Sequence, residues 1–268
     1  MGRVSDRRRV LRFKDGVSGY RPDTLAVEEP LEIQLGGEPF SVTMRTPGDD
    51  VDLALGFLFS EGVVARATDV AGAKHCTDSD LNVLDVTLRI PAPEAGRRFT
   101  VSSACGACGT SSMDELVGRI SPEVRRGLAG DGLVLDSGLV LDLPNRLRAA
   151  QKLFDRTGAV HAAGLFDTDG TLHCVREDVG RHNAVDKILG WAWRSGGLPL
   201  TGRVLAVSGR IGAEIVHKAA AGGVAAIVAV SAPTTLAVDL AKSWNMTLIG
   251  FTRTASFNVY SGAERVRD

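Results

Sequence analysis

Residues 224–250 have the sequence VAAIVAVSAPTTLAVDLAKSWNMTLIG, in which two short apolar runs flank a stretch of helical period. The first run shows no alternation of apolar and polar residues, as expected for a parallel strand covered on both faces. The middle stretch predicts a helix, with Pro233 suited to its first position. Strand, helix and strand in this order predict a sheet covered by helices.

The same alternation extends through the second half of the chain. Further strands are predicted at 159–166, 171–175 and 203–209, and further helices at 177–194 and 213–223. Pro144 can open another helix, whose apolar face contains Leu147 and Phe154 and which ends at Gly158. We therefore predict a C-terminal α/β domain over residues 146–268.

The first half mixes strands and helices. LEIQL (31–35) and FSVTM (40–44) flank a Gly-Gly turn and predict a hairpin. DDVDLALGFLFSEG (49–62) predicts a helix that Asp49 or Asp50 caps and Gly62 ends, and NVLDVTLRI (82–90) predicts a strand. The prediction is a two-part chain of the α/β (mixed α+β) class, with a smaller α+β domain at 21–145 and a flexible basic tail at 1–20.

Composition limits the possible functions. The 268 residues carry a net charge of −1, which gives no overall attraction to nucleic acid or membranes. No apolar run approaches the ~20 residues of a membrane span, and the N-terminus lacks the apolar segment of a signal peptide. Four cysteines are too few for a disulfide scaffold, so we expect a cytoplasmic protein.

The pair Cys105 and Cys108 lies in the segment ACGACG (104–109). A structural zinc site needs four ligands, and no second Cys-x-x-Cys is present. The dipeptides His75-Cys76 and His173-Cys174 could each supply one ligand at most, because neighbours on a strand point to opposite faces. A deaminase zinc site needs His-x-Glu, but HAA (161–163) has Ala163 in the place of the glutamate.

Three other uses of the pair remain open, namely a redox disulfide, two buried structural cysteines and a thiol that carries a group. A thioredoxin-type disulfide fits poorly, because a glycine follows each cysteine. The carrier alternative is favoured by a capping box at Ser112 and Glu115, since the helix that it predicts directs its positive dipole end toward the loop.

At three strand-to-helix junctions in the second half, the apolar strand ends in small or hydroxyl residues. Ligands bind at the carboxyl ends of strands in α/β sheets, near helix N-termini. Ser208 and Gly209 leave room there, and Arg210 and Arg253 supply cations that could reach phosphates. The junctions match no known phosphate-loop motif, but they favour an anionic, nucleotide-like ligand.

REDVGRHNAVDK (176–187) is a second dense polar stretch. On a helix, Asp178, His182 and Asp186 share one face. This face could be a charged surface with internal pairing. Alternatively, it could be the wall of a site, with Arg181 or His182 facing the ligand.

Several of these segments together resemble the FdhD family of formate dehydrogenase accessory sulfurtransferases. The resemblance runs from about residue 25 to the end of the chain and depends on the motifs in their order. They are ALGFLFSEG (54–62), ACGACG (104–109), HAA (161–163), EDVGRHNAVDK (177–187), AVSAPTTLAV (229–238) and GFTRTASFNVYSG (250–262).

The resemblance implies a function, partners and site residues. A cysteine desulfurase would pass sulfur to Cys105 as a persulfide, with Cys108 assisting the transfer. The sulfur would then reach the molybdenum (or tungsten) bis-guanine-dinucleotide cofactor before that cofactor enters formate dehydrogenase. The residues that would bind the cofactor are Phe251, Thr252, Arg253, Thr254, Ala255 and Ser256.

The resemblance also implies a cytidine-deaminase-like larger domain, without stoichiometric zinc. We expect a homodimer, because two subunits could hold the two ends of the cofactor. The alternative function is a cofactor-binding chaperone for formate dehydrogenase that transfers no sulfur covalently.

Overall fold

The computed structural model describes residues 3–77, 80–92, 99–101, 124, 127–128 and 132–268. The strands of this part are β1 (Ser5–Lys14), β2 (Val17–Ala26), β3 (Glu29–Leu35), β4 (Glu38–Arg45), β5 (Val70–Thr77), β6 (Asp80–Leu88), β7 (Phe99–Val101), β8 (Leu135–Asp136), β9 (His161–Asp167), β10 (Leu172–Asp178), β11 (Arg203–Val207), β12 (Ala226–Ala229), β13 (Thr247–Arg253), β14 (Ser256–Ser261) and β15 (Val266–Arg267). The helices are α1 (Asp50–Ser60), α2 (Ser137–Ala150), α3 (Lys152–Thr157), α4 (Arg181–Arg194), α5 (Ala213–Ala221) and α6 (Thr235–Ser243).

The C-terminal unit is built on a six-stranded sheet in the order β10-β9-β11-β12-β13-β14. β11, β12 and β13 run parallel, while β9, β10 and β14 pair antiparallel with their neighbours. Every residue of β12 is buried, so its apolar run is covered on both faces as the sequence predicts. α2 lies along β9 to β13, and α5 packs between α4 and α6.

Two helix starts differ from the prediction. Pro144 lies inside α2 and does not open it; Asp136 caps that helix by accepting a hydrogen bond from the Leu139 amide at 2.9 Å. α2 ends before Gln151, and the short α3 then ends at Gly158, whose φ of 66° suits glycine. Pro233 is not the first residue of α6 either. It lies just before Thr234, which is the N-cap of that helix.

Residues 135–145 pack with the C-terminal sheet, although the sequence-based boundary assigns them to the N-terminal unit. β8 pairs in parallel with β15 near the end of the chain, and α2 begins at Ser137. The boundary is hard to find from sequence because this pairing joins segments far apart in the chain.

The N-terminal unit has a five-stranded sheet in the order β5-β6-β3-β4-β7, with α1 packed against it. The predicted hairpin of β3 and β4 is confirmed, and Gly36 and Gly37 form its turn with φ of 61° and 87°. The predicted helix is also confirmed. Asp49 is its N-cap, but its side chain makes no capping hydrogen bond.

Residues 5–26 form an antiparallel hairpin of β1 and β2, where the sequence predicts a basic tail. The hairpin carries exposed apolar side chains such as Phe13 and Tyr20, and the Arg9 guanidinium stacks on the Tyr20 ring at 4.4 Å. Strand pairing was missed because the arginines hide the alternation on which strand prediction depends. Within the described residues, no helix combines the length and apolar character needed to cross a bilayer.

The two units are joined by a close crossing of α1 and α4. A Cβ added to Gly56 would overlap the carbonyl oxygen of Asp186, and one added to Gly190 would overlap the carbonyl oxygen of Asp52. The helices therefore touch backbone to backbone, which only glycine allows at these positions. Trp193 of α4 extends this contact into the apolar core of the N-terminal unit.

We predict that Gly190→Ala destabilises the protein. The added methyl group must push α1 away from α4, which should cost about 2 kcal/mol after the helix-propensity gain of alanine. Urea unfolding monitored by circular dichroism measures this loss. Gly72→Ala is the control, because a Cβ there meets no atom within 4 Å; equal stability of both variants would contradict the predicted contact.

Candidate functional site

A cleft of about 810 Å³ opens at the carboxyl ends of the parallel strands. We call it the strand-end cleft. The sheet contributes His161, Ser208, Val230, Thr252, Arg253 and Thr254, and α2, α3 and the turns beside them contribute Leu141, Pro144, Asn145, Leu147, Arg148, Gln151, Phe154, Gly158, Ala159 and Val160. The location is the one expected for ligands of α/β sheets.

The sheet wall of the cleft depends on an irregularity in β13. The pairing of β13 with β14 shifts between Gly250 and Arg253, and Phe251 adopts a φ of 51°. A bulky residue in the left-handed region is strained, and such strain concentrates at functional sites. Thr252 faces the cleft and is 1% exposed, and its Oγ1 has no hydrogen-bond partner in the described part of the chain.

Of the residues that the resemblance assigns to the cofactor, Thr252, Arg253 and Thr254 line the strand-end cleft. Phe251, Ala255 and Ser256 are exposed and are not among its lining residues. Cofactor binding by any of the six residues stays a prediction.

The helical wall combines aromatic and charged groups that the sequence reasoning missed. The Arg148 guanidinium stacks on the Phe154 ring at 4.7 Å and pairs with Asp155 at 2.5 Å. This wall exists because the chain breaks at Gln151, between α2 and α3. The sequence contains no clear signal of this break, because Leu147 and Phe154 keep a regular apolar spacing across it and predict one continuous helix.

His161 lies where the cleft meets the start of α4. Its neighbour across the sheet edge is Ser208, whose Oγ accepts a hydrogen bond from the Ala162 amide at 2.9 Å. Burial lowers the pKa of His161, and the positive charges of Arg181 and Arg210 lower it further against the opposing charge of Asp178. The imidazole is therefore neutral at pH 7.

Most of the polar stretch 176–187 faces the N-terminal unit. Asp178 is fully buried and lies 2.7 Å from Lys187 Nζ. It accepts hydrogen bonds from the Thr46 and Gly180 amides and from Asn183 Nδ2. The charged-surface alternative is wrong, because these groups meet a second layer of the same chain.

A second buried cluster forms around Asp186, the residue next to Lys187 in α4. Lys218 Nζ lies 2.9 Å from both Asp186 Oδ1 and Ser60 Oγ. Burial raises the pKa of Asp186, and the Lys218 charge opposes that rise. Burial and the charges of Arg181 and Lys218 lower the pKa of His182 to about 3, although Glu214 Oε2 lies 3.3 Å from Nε2. His182 thus points into the interface, while Arg181 lies beside the cleft.

Cys105 and Cys108 lie outside the residues that the structure describes. Cys174 is buried in β10, and burial raises the pKa of its thiol to about 11, which leaves it protonated at neutral pH. Cys76 is exposed, with Sγ 3.6 Å from Gln34 Oε1. Among the described residues, no three His, Cys, Asp or Glu side chains are arranged to hold one metal ion.

The chain is similar to known proteins along nearly its whole length. Residues 26–267 match the model of the FdhD/NarQ family. The chain is 50% identical to the sulfur carrier protein FdhD of Nocardia farcinica, with 99% of this chain and 96% of that protein covered. It is 49% identical to the protein of the same name from Streptomyces coelicolor, with 99% and 97% covered.

The crystal structure of a protein from Desulfotalea psychrophila has the same fold, and that protein is described as a formate dehydrogenase accessory protein. It matches with a TM-score of 0.76 at 24% identity and covers 99% of this chain and all of its own. This match confirms the mixed α/β fold class. The chain belongs to the FdhD/NarQ family, which confirms the resemblance found in its motifs.

We predict that His182 makes the protein less stable in mild acid. The unfolded chain binds a proton at this histidine near its ordinary pKa of 6.5, whereas the folded chain keeps it neutral down to about pH 3. Lowering the pH from about 7 to about 5 should therefore cost roughly 2 kcal/mol at this residue.

Urea unfolding at both pH values tests this prediction. His182→Asn should lose less stability between them than the wild type, whereas a variant of the exposed His173, His173→Asn, should lose as much as the wild type. If His182→Asn loses as much stability between the two pH values as the wild type, other groups cause the acid sensitivity and the prediction is wrong.

Proposed function

We propose that this protein is a sulfur carrier that serves formate dehydrogenase and holds the sulfur as a persulfide on Cys105. The observation that carries this proposal is its membership of the FdhD/NarQ family together with the motif ACGACG at 104–109. Relatives that share about half of its residues are named sulfur carrier proteins. Burial of Cys174 favours the same choice, since a protonated, enclosed thiol cannot accept sulfur.

The first chemical step would be a transfer between two thiols. The Cys105 thiolate attacks the outer sulfur of a persulfide on a cysteine desulfurase. The bond between the two sulfurs of that persulfide breaks, the desulfurase leaves as a thiolate, and Cys105 holds the outer sulfur with its proton. Cys108 would assist the onward transfer from its position three residues away.

The client that we propose is the molybdenum (or tungsten) bis-guanine-dinucleotide cofactor, bound as a substrate through residues 251–256. The strand-end cleft supports this idea, because its volume suits a nucleotide-sized ligand. Arg253 supplies a cation among its lining residues, and Thr252 and Thr254 lie on either side of it. A homodimer in the cytoplasm would let two such clefts hold the two nucleotide ends.

We predict that incubation with an active cysteine desulfurase and cysteine adds sulfur to Cys105. Intact-protein mass spectrometry without reductant should show the mass of one added sulfur atom, removable by reductant and lost in Cys105→Ala. The controls are Cys76→Ala and Cys174→Ala, which remove an exposed and a buried thiol and should load like the wild type.

Two results of this experiment would contradict the carrier proposal. If the wild-type protein takes up no sulfur, or if Cys105→Ala loads normally, the carrier proposal fails. A Cys105→Ala/Cys108→Ala protein that still supports an active formate dehydrogenase would instead favour the chaperone alternative without covalent transfer.

A further inference from the structure

The hairpin of β1 and β2, which we call the arm, projects from the rest of the fold. It is attached at its base, where Arg156 of α3 donates a hydrogen bond to Ser5 Oγ at 2.5 Å. Beyond this base, every residue of 7–20 except Val10 is exposed. A two-stranded hairpin without further packing is at most marginally stable in water. A surface that packs against the arm would therefore stabilise it.

One face of the arm is apolar near its turn. The register pairs Leu11 with Tyr20 and Arg9 with Pro22, and side chains alternate between the two faces of a strand. Arg9, Leu11, Phe13 and Tyr20 therefore share one face, which we call the tip face; the stacking of Arg9 on Tyr20 agrees with this. Leu11, Phe13 and Tyr20 are 47%, 74% and 64% exposed. A cluster of exposed apolar side chains on a projecting element indicates an interaction surface.

The charge of the arm is opposite to that of the rest of the chain. Residues 1–26 contain seven basic and three acidic residues, although the whole chain has a net charge of −1. Residues 27–268, which we call the body, therefore carry five more acidic than basic residues. A basic arm is attracted by an acidic body and repelled by a second arm. Charge complementarity thus favours the body of a second copy of this chain as the partner surface.

The size of the arm is sufficient for a dimer in which both chains contribute one. Its exposed part is a ribbon about 25 Å long and about 10 Å wide, from the rise and spacing of paired strands. One arm laid flat on a body covers roughly 250 Å² by these dimensions. In a two-fold dimer both arms dock, and each contact removes surface from both chains, so the total buried area is roughly 1,000 Å². Specific interfaces begin at about this size.

We propose that the tip face of the arm docks on the acidic body of a second copy of this chain, so that two chains exchange arms in a two-fold dimer. Leu11, Phe13 and Tyr20 supply the apolar contact, and Arg7 and Arg9 supply the charge that the body attracts. This proposal rests on the homodimer of the proposed function and adds the element that forms it. Residues 5–25 of the arm precede the part of the chain that matches the family model.

Sedimentation velocity of the full-length protein over a range of concentrations tests the apolar part of the contact. The wild type should sediment as a dimer. Phe13→Ser/Tyr20→Ser should weaken dimerisation by about 10- to 100-fold, because aromatic side chains contribute most to such contacts. Val17→Ser is the matched control, because Val17 is 72% exposed on the opposite face of the same arm. It should dimerise like the wild type.

Two charge reversals of equal size test the electrostatic part. Arg7→Glu/Arg9→Glu changes the tip face and should weaken dimerisation by at least about 10-fold. Arg12→Glu/Lys14→Glu changes the net charge by the same amount on the opposite face and should weaken dimerisation much less. All four residues are exposed, so these substitutions should leave the body folded, which circular dichroism checks.

Three results would overturn the proposal: a wild type that stays monomeric at every concentration, a dimer that the tip-face variants leave unchanged, or a dimer that the opposite-face controls weaken equally. Sulfur loading of Cys105, measured on the same wild-type preparation, separates these results from failure of the carrier function. A monomer that loads sulfur keeps the carrier function and removes the arm exchange. A dimer that depends on the tip face but takes up no sulfur keeps the arm exchange and removes the carrier function.

Discussion

The arrangement of this protein depends on one contact, the crossing of α1 and α4 at Gly56 and Gly190, where two backbones touch. Ion pairs surround this crossing inside the protein, with Lys187 on Asp178 and Lys218 on Asp186. A buried ion pair adds little net stability, but separating its partners leaves an uncompensated charge. The glycines therefore permit the approach, and the charges penalise any other alignment of the two units.

The same helix connects this crossing with the strand-end cleft. α4 contacts the N-terminal unit through Asp186 and Gly190, and its first residue, Arg181, lies beside His161 at the cleft. The N-terminal unit supplies β7, which ends at Val101 just before the segment that carries the cysteine motif. A shift of α4 would thus change the interface and the charged end of the cleft together, because a helix moves as a rigid element.

The sequence predicts those features whose cause is local. The strands β11 to β13 follow from unbroken apolar runs, and Ser208 and Arg253 could be assigned to this end of the sheet because they lie where such runs end. Thr252 was assigned only through the family resemblance. The burial of stretch 176–187 was not predictable, since its partners are distant in the chain. Thr46 and Ser60 decide that these charges meet protein instead of water. No periodicity within the stretch contains that information.

The charge around the cleft could not be predicted from the composition of the chain. A count of charged residues gives a chain close to neutrality, yet acids and bases are paired unevenly over the fold. Guanidinium groups stay protonated at physiological pH, and burial lowers the pKa of His161, so the positive charge that acts where α4 begins comes from Arg181 and Arg210. An anion there would be held by fixed charges and not by a protonation event.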